Sequence, residues 1–431
     1  MTIAGSLRLV FALTLSSLTL LGCTTALQRP TSGRCADADP TVWAQSASRS
    51  LRVAAFERRA MYGVGRPEAP RRFTLGPAPA DSVAVVSYPE PGRFSGGPDG
   101  FGRMANRSYV YDNALYVLVR SFEGKEVDAR RVLQTLAALQ RPDGAWGFSF
   151  NIRGDGFYNV DYLRTGAIAW VVYAMARYTR RFGDRRFVPA MRRGGKWLLG
   201  QRDKGTGLFR GGSGRWLPGG SRFEAGHLAD WAATEHNVDV WFTLRALAQT
   251  DPRGGWRAQV QPDRLGKAMA DILYIDKAGR YARGLQPGGL DTVSALDAAG
   301  TWTAIFELGR GRPEIARRLL HWVDRHHRLA QDGWQGWQPE PGPKHAIWFV
   351  EGSVARAIAL SRLGDLAAAR AMIQQLTQLA CVGGVPLVYA NRWQADFPKS
   401  PAAGPTAWYI LAVEEVWNGR APFLWPTDLH G

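Results

Sequence analysis

Arg164–Tyr178 reads RTGAIAWVVYAMARY, a segment that is apolar on nearly every side. A helix of that character is buried on most of its faces. Five similar segments begin near Tyr109 (YVYDNALYVLVR), Thr234 (TEHNVDVWFTLRAL), Asp291 (DTVSALDAAGTWTAIFEL), Ile347 (IWFVEGSVARAIAL) and Ala403 (AGPTAWYILAVEEV). Successive starts are about 55 to 57 residues apart, except for one gap of roughly 70. That longer gap holds the Gly-rich stretch Gly205 to Gly226, which reads as an inserted loop. Such a period points to an array of helical units.

Amphipathic, charged segments lie between the apolar ones: Glu126–Leu139, Arg186–Leu199, Trp256–Leu273, Pro313–His327 and Leu366–Leu379. An earlier segment, Thr41–Met61, is the expected partner of the first apolar helix. Their charged positions alternate with Leu, Ala and Val at helical spacing, as a half-exposed helix requires. Loops are dense in Gly and Pro, and no alternating strand pattern of useful length appears. An inner apolar and an outer amphipathic helix, taken six times, predict an all-α fold: an (α/α)6 toroid of six helical hairpins. The alternative is an open solenoid.

Leu139-Gln140-Arg141-Pro142-Asp143-Gly144-Ala145-Trp146-Gly147 resembles the Gln-x3-Gly-x-Trp motif of α/α toroids such as terpene cyclases. Trp197–Gln201 followed by Gly205 is a weaker copy without the second Trp, and the Asp-rich motif of cyclising terpene enzymes is absent. The wider pattern is similar to bacterial six-hairpin glycosidase-like proteins. It comprises Tyr111–Leu115, Arg164–Ala167, Thr234–Asn237 with Asp239, and the closing Trp408 helix. That resemblance implies a carbohydrate-active toroid with carboxylate chemistry, mostly inverting.

The first residues point to a compartment. Arg8 precedes an apolar run from Leu9 to Leu21, too short to span a bilayer, which needs about 20 residues, and suited to a signal peptide. Leu20-Leu21-Gly22-Cys23 resembles a bacterial lipobox, which implies cleavage before Cys23 and its lipidation. The expected organisation is therefore a lipoprotein signal peptide at 1–22, a lipidated tether at 23–40, and one toroid domain at 41–431. Thr24, where Asp would signal inner-membrane retention, favours an outer-membrane anchor facing the periplasm. Cys35 and Cys381 are free to pair in an oxidising compartment or to stay as thiols.

The formal charge of +17 suits neighbours such as acidic polysaccharide, lipopolysaccharide phosphates or anionic headgroups. No continuous Lys/Arg block accompanies it, and nucleic acid is excluded by the compartment. The expected partners are a polysaccharide or oligosaccharide, acidic ones included, and a membrane reached through the lipid. The chain is expected to act as a monomer without a cofactor. Metal binding is not expected: His326 and His327 are adjacent, and no HExxH motif occurs.

In a toroid, polar residues at one end of the inner helices converge although they are far apart in sequence. Carboxylates at or just before inner segments are Asp112, Asp161, Glu235, Asp239, Asp291 and Glu351. Each sits among apolar neighbours, where an unpaired carboxylate is costly and its pKa rises. Glu235 is the first choice for a general acid: it follows Thr234, read as an N-cap, and Asp239 lies one turn later on the same face. Asp112, Asp161 or Glu351 is the candidate base, and His236 and Asn237 are placed to orient hydroxyls. Arg164 and Arg222 are candidates for acidic sugar groups. Trp146, Tyr158, Trp216, Trp302, Trp334, Trp337, Trp348 and Trp393 lie in or next to loops and helix ends. With 17 Trp in the chain several must be core, and Tyr158, Trp216, Trp334, Trp337 and Trp348 are the aromatics expected against sugar.

The leading expectation is thus a glycoside hydrolase of the cell envelope. A polysaccharide lyase on the same ring and a non-catalytic glycan-binding lipoprotein are the alternatives. Convergence of the acids on one aromatic-lined cleft separates the enzyme from the binder.

Overall fold

A computed structural model describes residues 38–56, 61–62, 72–73, 79–89, 106–152, 161–217, 223–254, 256, 262–331, 333–342, 346–380, 385–389 and 400–427. Cys23, Cys35, Cys381, Tyr158, Arg222 and Trp393 lie outside the described residues.

Among the described residues twelve α-helices alternate between two layers. The inner helices are α2 (Val110–Phe122), α4 (Thr165–Phe182), α6 (Thr234–Thr250), α8 (Trp302–Gly309), α10 (Val350–Arg362) and α12 (Ala403–Ala412). Each packs on the next, and α12 packs back on α2, so the ring is closed. The outer layer is α1 (Pro40–Ser50), α3 (Glu126–Leu139), α5 (Val188–Gly200), α7 (Pro262–Leu273), α9 (Pro313–His326) and α11 (Leu366–Ala380). Burial follows the sequence pattern. In α4 the residues from Thr165 to Ala176 are all buried, whereas α9 buries only Ala316, Leu319, Leu320 and Val323. The open solenoid is excluded.

Two expectations change. The first helix stops at Ser50, and its chain continues as the strand Val53–Ala55, paired antiparallel with Val83–Val85. That helix partners the last inner helix, α12, rather than the first. It meets the end of α2 through Arg120, whose guanidinium donates to the Ser48 hydroxyl at 2.6 Å and the Ser48 carbonyl at 2.9 Å, and through Glu123, which accepts from the same hydroxyl at 2.6 Å. The sixth hairpin is therefore assembled from distant parts of the chain. The second change is that short strands do form, in the connections that lead into inner helices. Arg107–Tyr109 pairs with Ser149–Asn151, and Trp348–Phe349 with Val388–Tyr389. The Gly-rich insertion supplies Gly212–Trp216 and Phe223–Leu228, which join Leu163–Arg164 in a three-stranded sheet. Most run two or three residues, too short for an alternating pattern to show.

The Gln140 motif works as a tie between repeats. Gln140 is the C-cap of α3, and its side-chain amide donates to Gly144 O and to Ala190 O of α5, both at 2.9 Å, and accepts from Arg193. Trp146 is buried and donates to Leu136 O at 2.6 Å. Gly144 has a φ of +94°, and a Cβ there would stand 2.5 Å from Arg193 O, so glycine is required.

The centre of the ring is filled by indoles. Beyond α12, a wide turn at Val413–Trp417 leads into a tail that returns to the axis and buries Trp425. Trp425 stacks on Phe242 at 4.8 Å and 5°, and packs on Trp170 at 4.8 Å and Trp408 at 5.6 Å. Tyr173 accepts its backbone N–H, while Arg362 holds the carbonyls of Leu424 and Trp425. Its φ of +46° is rare for a bulky residue and is held by these contacts. Trp425 is the plug of the ring.

Candidate active site

Five inner helices enter directly from extended backbone without a side-chain cap. Their first N–H groups would be orphans, a costly state when buried. Each finds a carbonyl in a neighbouring connection instead: Val110 N–H on Phe148 O, Thr165 on Gly211 O, Thr234 on Arg283 O, Val350 on Leu387 O and Ala403 on Ser87 O. The fourth helical residue is often a polar pin. Asn237 clasps both backbone groups of Phe209 and the Ala233 carbonyl, and Asn113 holds Val85 N–H and Tyr109 O. Thr234 is therefore not the N-cap; Ala233 is, and the Thr234 hydroxyl donates to Ala282 O at 2.6 Å. The effect is the same. The first turns are held fixed at one end of the ring, and side chains on them are aimed with little freedom.

At that end lies a cavity of about 290 Å³. Asp112, Glu235, Asp239, Asp297 and Glu351 all line it, with His236 between Glu235 and Asp239 in sequence. Tyr88, Tyr111, Trp170, Trp302 and Phe349 form much of its aromatic wall. Gly166 and Gly404 leave the acids room. A Cβ at Gly166 would stand 2.5 Å from His236 Cδ2 and 2.7 Å from Asp239 Oδ2. One at Gly404 would lie 3.0 Å from Asp112 Oδ1 and 3.5 Å from Glu351 Oε2, which places those two carboxyls side by side.

Desolvation dominates the electrostatics. It pushes Asp112 up to about 7, eased by a hydrogen bond from Ser87, and Glu351 up to about 8, eased by Tyr111. The Tyr111 hydroxyl donates to Glu351 and accepts from Trp408 Nε1 at 2.7 Å. Asp239 is raised well above the usual carboxylate range by burial, against a hydrogen bond from Trp170; its Oδ1 has no hydrogen-bond partner. Glu235 is also raised well above its ordinary value, by burial first and then by the charge of Asp297, to which it is hydrogen-bonded. Its side chain keeps 41% exposure, but towards the cavity, and the surrounding protein still desolvates it. Burial depresses His236 to about 3, so the imidazole is neutral at physiological pH, with Nδ1 lacking a partner. The arrangement can give a proton from one wall and accept one at another.

The structure thus brings together Asp112, Glu235, His236, Asp239 and Glu351, and sets other expected residues elsewhere. Asp161 does not line the cavity; it is paired with Arg141 at 2.7 Å. Asp291 is paired with Arg283 at 2.8 Å. Arg164 lies over the Tyr162 ring at 3.6 Å and donates to the carbonyls of Leu163, Ser213 and Gly214. Trp216 is an exposed strand residue against Phe223. Trp334, Trp337 and Trp348 are buried: Trp334 and Trp348 flank Tyr389, and Trp337 donates to Asp324 beneath the Arg356 guanidinium. Asp297 is the acid the sequence reading passes over, along with Tyr88 and Trp170; Trp302, one of the indoles set beside helix ends, does line the cavity. Asp297 opens a wide helical turn, Asp297–Thr301, ahead of α8, so its helix starts six residues after the acid taken as the marker, Asp291. Among the described residues no group of three or more His, Cys, Asp and Glu side chains is arranged to hold a metal ion.

The fold is that of six-hairpin glycosidase-like (α/α)6 toroids. A solved wild-type glycosidase superposes with a TM-score of 0.57 over 79% of this chain and 93% of its own, at 14% identity. A D-mannose isomerase gives 0.54 over 73% and 88%, at 11% identity. A cellobiose 2-epimerase from Bacillus thermoamylovorans gives 0.52 over 72% and 88%, also at 11% identity. No family model matches the chain, and no curated protein matches its sequence. At such identities the likeness is one of fold.

Proposed function

We propose that the chain is a glycoside hydrolase that takes the end of a saccharide into this cavity and cleaves it by carboxyl general acid–base catalysis. The supporting observation is the convergence of five carboxyls from four of the six repeats, and of an aromatic wall, on one hollow. Glu235 is the acid: burial and Asp297 keep the proton on it, ready for the leaving oxygen. Asp112 is the base. Of the two carboxyls near Gly404, Glu351 is occupied by the Tyr111 hydroxyl, which leaves Asp112 for this role. Helix α4 stands between the helices bearing Asp112 and Glu235, which favours room for a water and hence inversion. Trp170, Trp302 and Tyr88 supply aromatic surface against which the sugar would pack.

A volume of about 290 Å³ is at the low end for ligand sites and suits a terminal ring or two rather than a long chain. One solved glycosidase of this fold is a complex with glucose. No Arg or Lys among the described residues lines the cavity. Among those residues the lining therefore favours a neutral sugar over a uronate.

The envelope assignment belongs to the same proposal and rests on the Leu9–Leu21 run and Cys23. No described helix is long and apolar enough to cross a membrane. Mass spectrometry of membrane-extracted protein tests it, by an acylated Cys23 at the N-terminus and a bond between Cys35 and Cys381.

The function is tested by incubating the protein with neutral oligosaccharides and following both new reducing ends and the anomer released. Hydrolysis lost in Glu235→Gln supports the proposal. Sugar interconversion without new reducing ends would make the protein an isomerase or epimerase, and saturable binding without turnover would make it a glycan binder.

A further inference from the structure

A second concave surface lies on the outside of the ring and has no part in the chemistry above. The turn at 276–279, between the strands Tyr274–Ile275 and Arg280–Tyr281, stands beside helix α9. Between them is a groove of about 770 Å³. Its lining includes Lys277, Arg317, Arg318, His321 and Arg325, against a single carboxylate, Asp276. All five of these basic side chains are exposed. Lys277, Arg317 and Arg325 make no ion pair among the described residues.

The basic side chains are ordered rather than scattered. Arg317, His321 and Arg325 follow one another at intervals of four on α9, so they form a stripe with about 6 Å between successive positions. That step is comparable to one ring of an extended glycan. The wall is also rigid. Trp322 lies in parallel with His326 at 3.8 Å between centroids, and its Nε1 donates to Ser294 Oγ at 3.0 Å. Ser294 in turn meets His327 Nε2 at 2.7 Å, and His327 Nδ1 meets the Gln338 carbonyl at 2.9 Å. A groove anchored in this way keeps its shape without a ligand, which lowers the entropic cost of binding.

We infer that this groove is a binding site for an acidic polysaccharide, whose carboxylates or sulfates align with the α9 stripe. Unpaired cations so close together repel one another, and a polyanion relieves that repulsion while releasing its own counterions. The groove's concavity fits a chain rather than a membrane surface. None of the exposed large apolar residues lines it, so it lacks an insertion point for lipid. The cavity lined by acids and the groove lined by bases thus select different sugars, and binding in the groove does not depend on what the cavity does.

The test is calorimetric titration of the full chain with a decameric oligogalacturonate at two salt concentrations. Neutral maltodextrin of equal length, phosphatidylglycerol vesicles and oligothymidylate serve as comparison ligands. Oligogalacturonate is expected to bind, more weakly at the higher salt, and maltodextrin is not. Arg317→Glu/Arg325→Glu is expected to weaken binding at least tenfold, with Arg317→Lys/Arg325→Lys staying within about threefold of the parent. Should the reversed variant melt early, Lys277→Glu on the facing turn carries the same expectation. Absence of oligogalacturonate binding, binding indifferent to these substitutions, or tighter binding to vesicles or oligothymidylate overturns the inference.

Discussion

Glu235, on the first turn of α6, is hydrogen-bonded to Asp297, which opens the turn before α8, so acids of two neighbouring repeats meet at the cavity wall. Glu235→Gln keeps the shape and removes the acid. Turnover on a neutral oligosaccharide should fall by roughly two to four orders of magnitude, with the melting temperature preserved or raised. Asp297→Asn removes the charge that helps hold the proton on Glu235, so the alkaline limb of the rate profile should move to lower pH. Steady-state assays across pH check both.

Stability should fall as pH rises through neutrality. Asp112 and Glu351 have ordinary values of 3.8 and 4.5 and are raised to about 7 and about 8 in the folded ring. The folded state therefore holds more protons than the unfolded chain between those limits, and stability declines with pH across that window. Thermal melts at pH 5 and pH 8.5 should show the decline. Asp112→Asn and Glu351→Gln, which mimic the protonated forms, should flatten it and melt higher than the parent at the alkaline end. A flat parental profile would contradict the burial argument. Activity on the acid side should rise as Asp112 ionises.

Gly166→Ala tests how tightly the site is built. The added methyl group meets His236 and Asp239 at distances side chains do not tolerate, so both must shift. Displacements of that order at a catalytic centre cost roughly tenfold or more in rate. Circular dichroism should stay unchanged while kcat/KM falls, because the clash is confined to the cavity.

Trp425→Ala should cost about 3 to 5 kcal/mol of stability, the usual range for removing a buried indole. The loss should be read by denaturant unfolding. Trp170 and Trp302, which line the cavity, pack on Trp425, so sugar affinity should weaken as well.

The fold was legible because a toroid repeats its burial pattern: six apolar segments at a near-constant interval leave few arrangements that cover them all. The acids at Asp112, Glu235, Asp239 and Glu351 were legible for a related reason, each being a charge out of place in the first turns of a buried helix. Asp297 stood in the same repeat position but behind a wide turn that displaced the apparent helix start. The aromatics were the weak point. A Trp beside a loop and a Trp in the core have the same composition, and Trp334-Gln335-Gly336-Trp337 turned out to be a strand with its indoles inward. Trp170 lies within an inner helix and reads as core, although it lines the hollow. Neither local spacing nor hydropathy tells those cases apart.

The seam of the circle has a consequence for how the molecule is made. Helix α1 waits on α12, and the axis stays open until Trp425 arrives, so the earliest and latest portions of the body must meet before the hairpins at the seam are covered on both flanks. Contacts of such long sequence separation form slowly. A ribosome delivering this chain would release a crescent of helix pairs with bare edges, which snaps shut only once synthesis has passed the final indole. During that interval the growing polypeptide is exposed to aggregation.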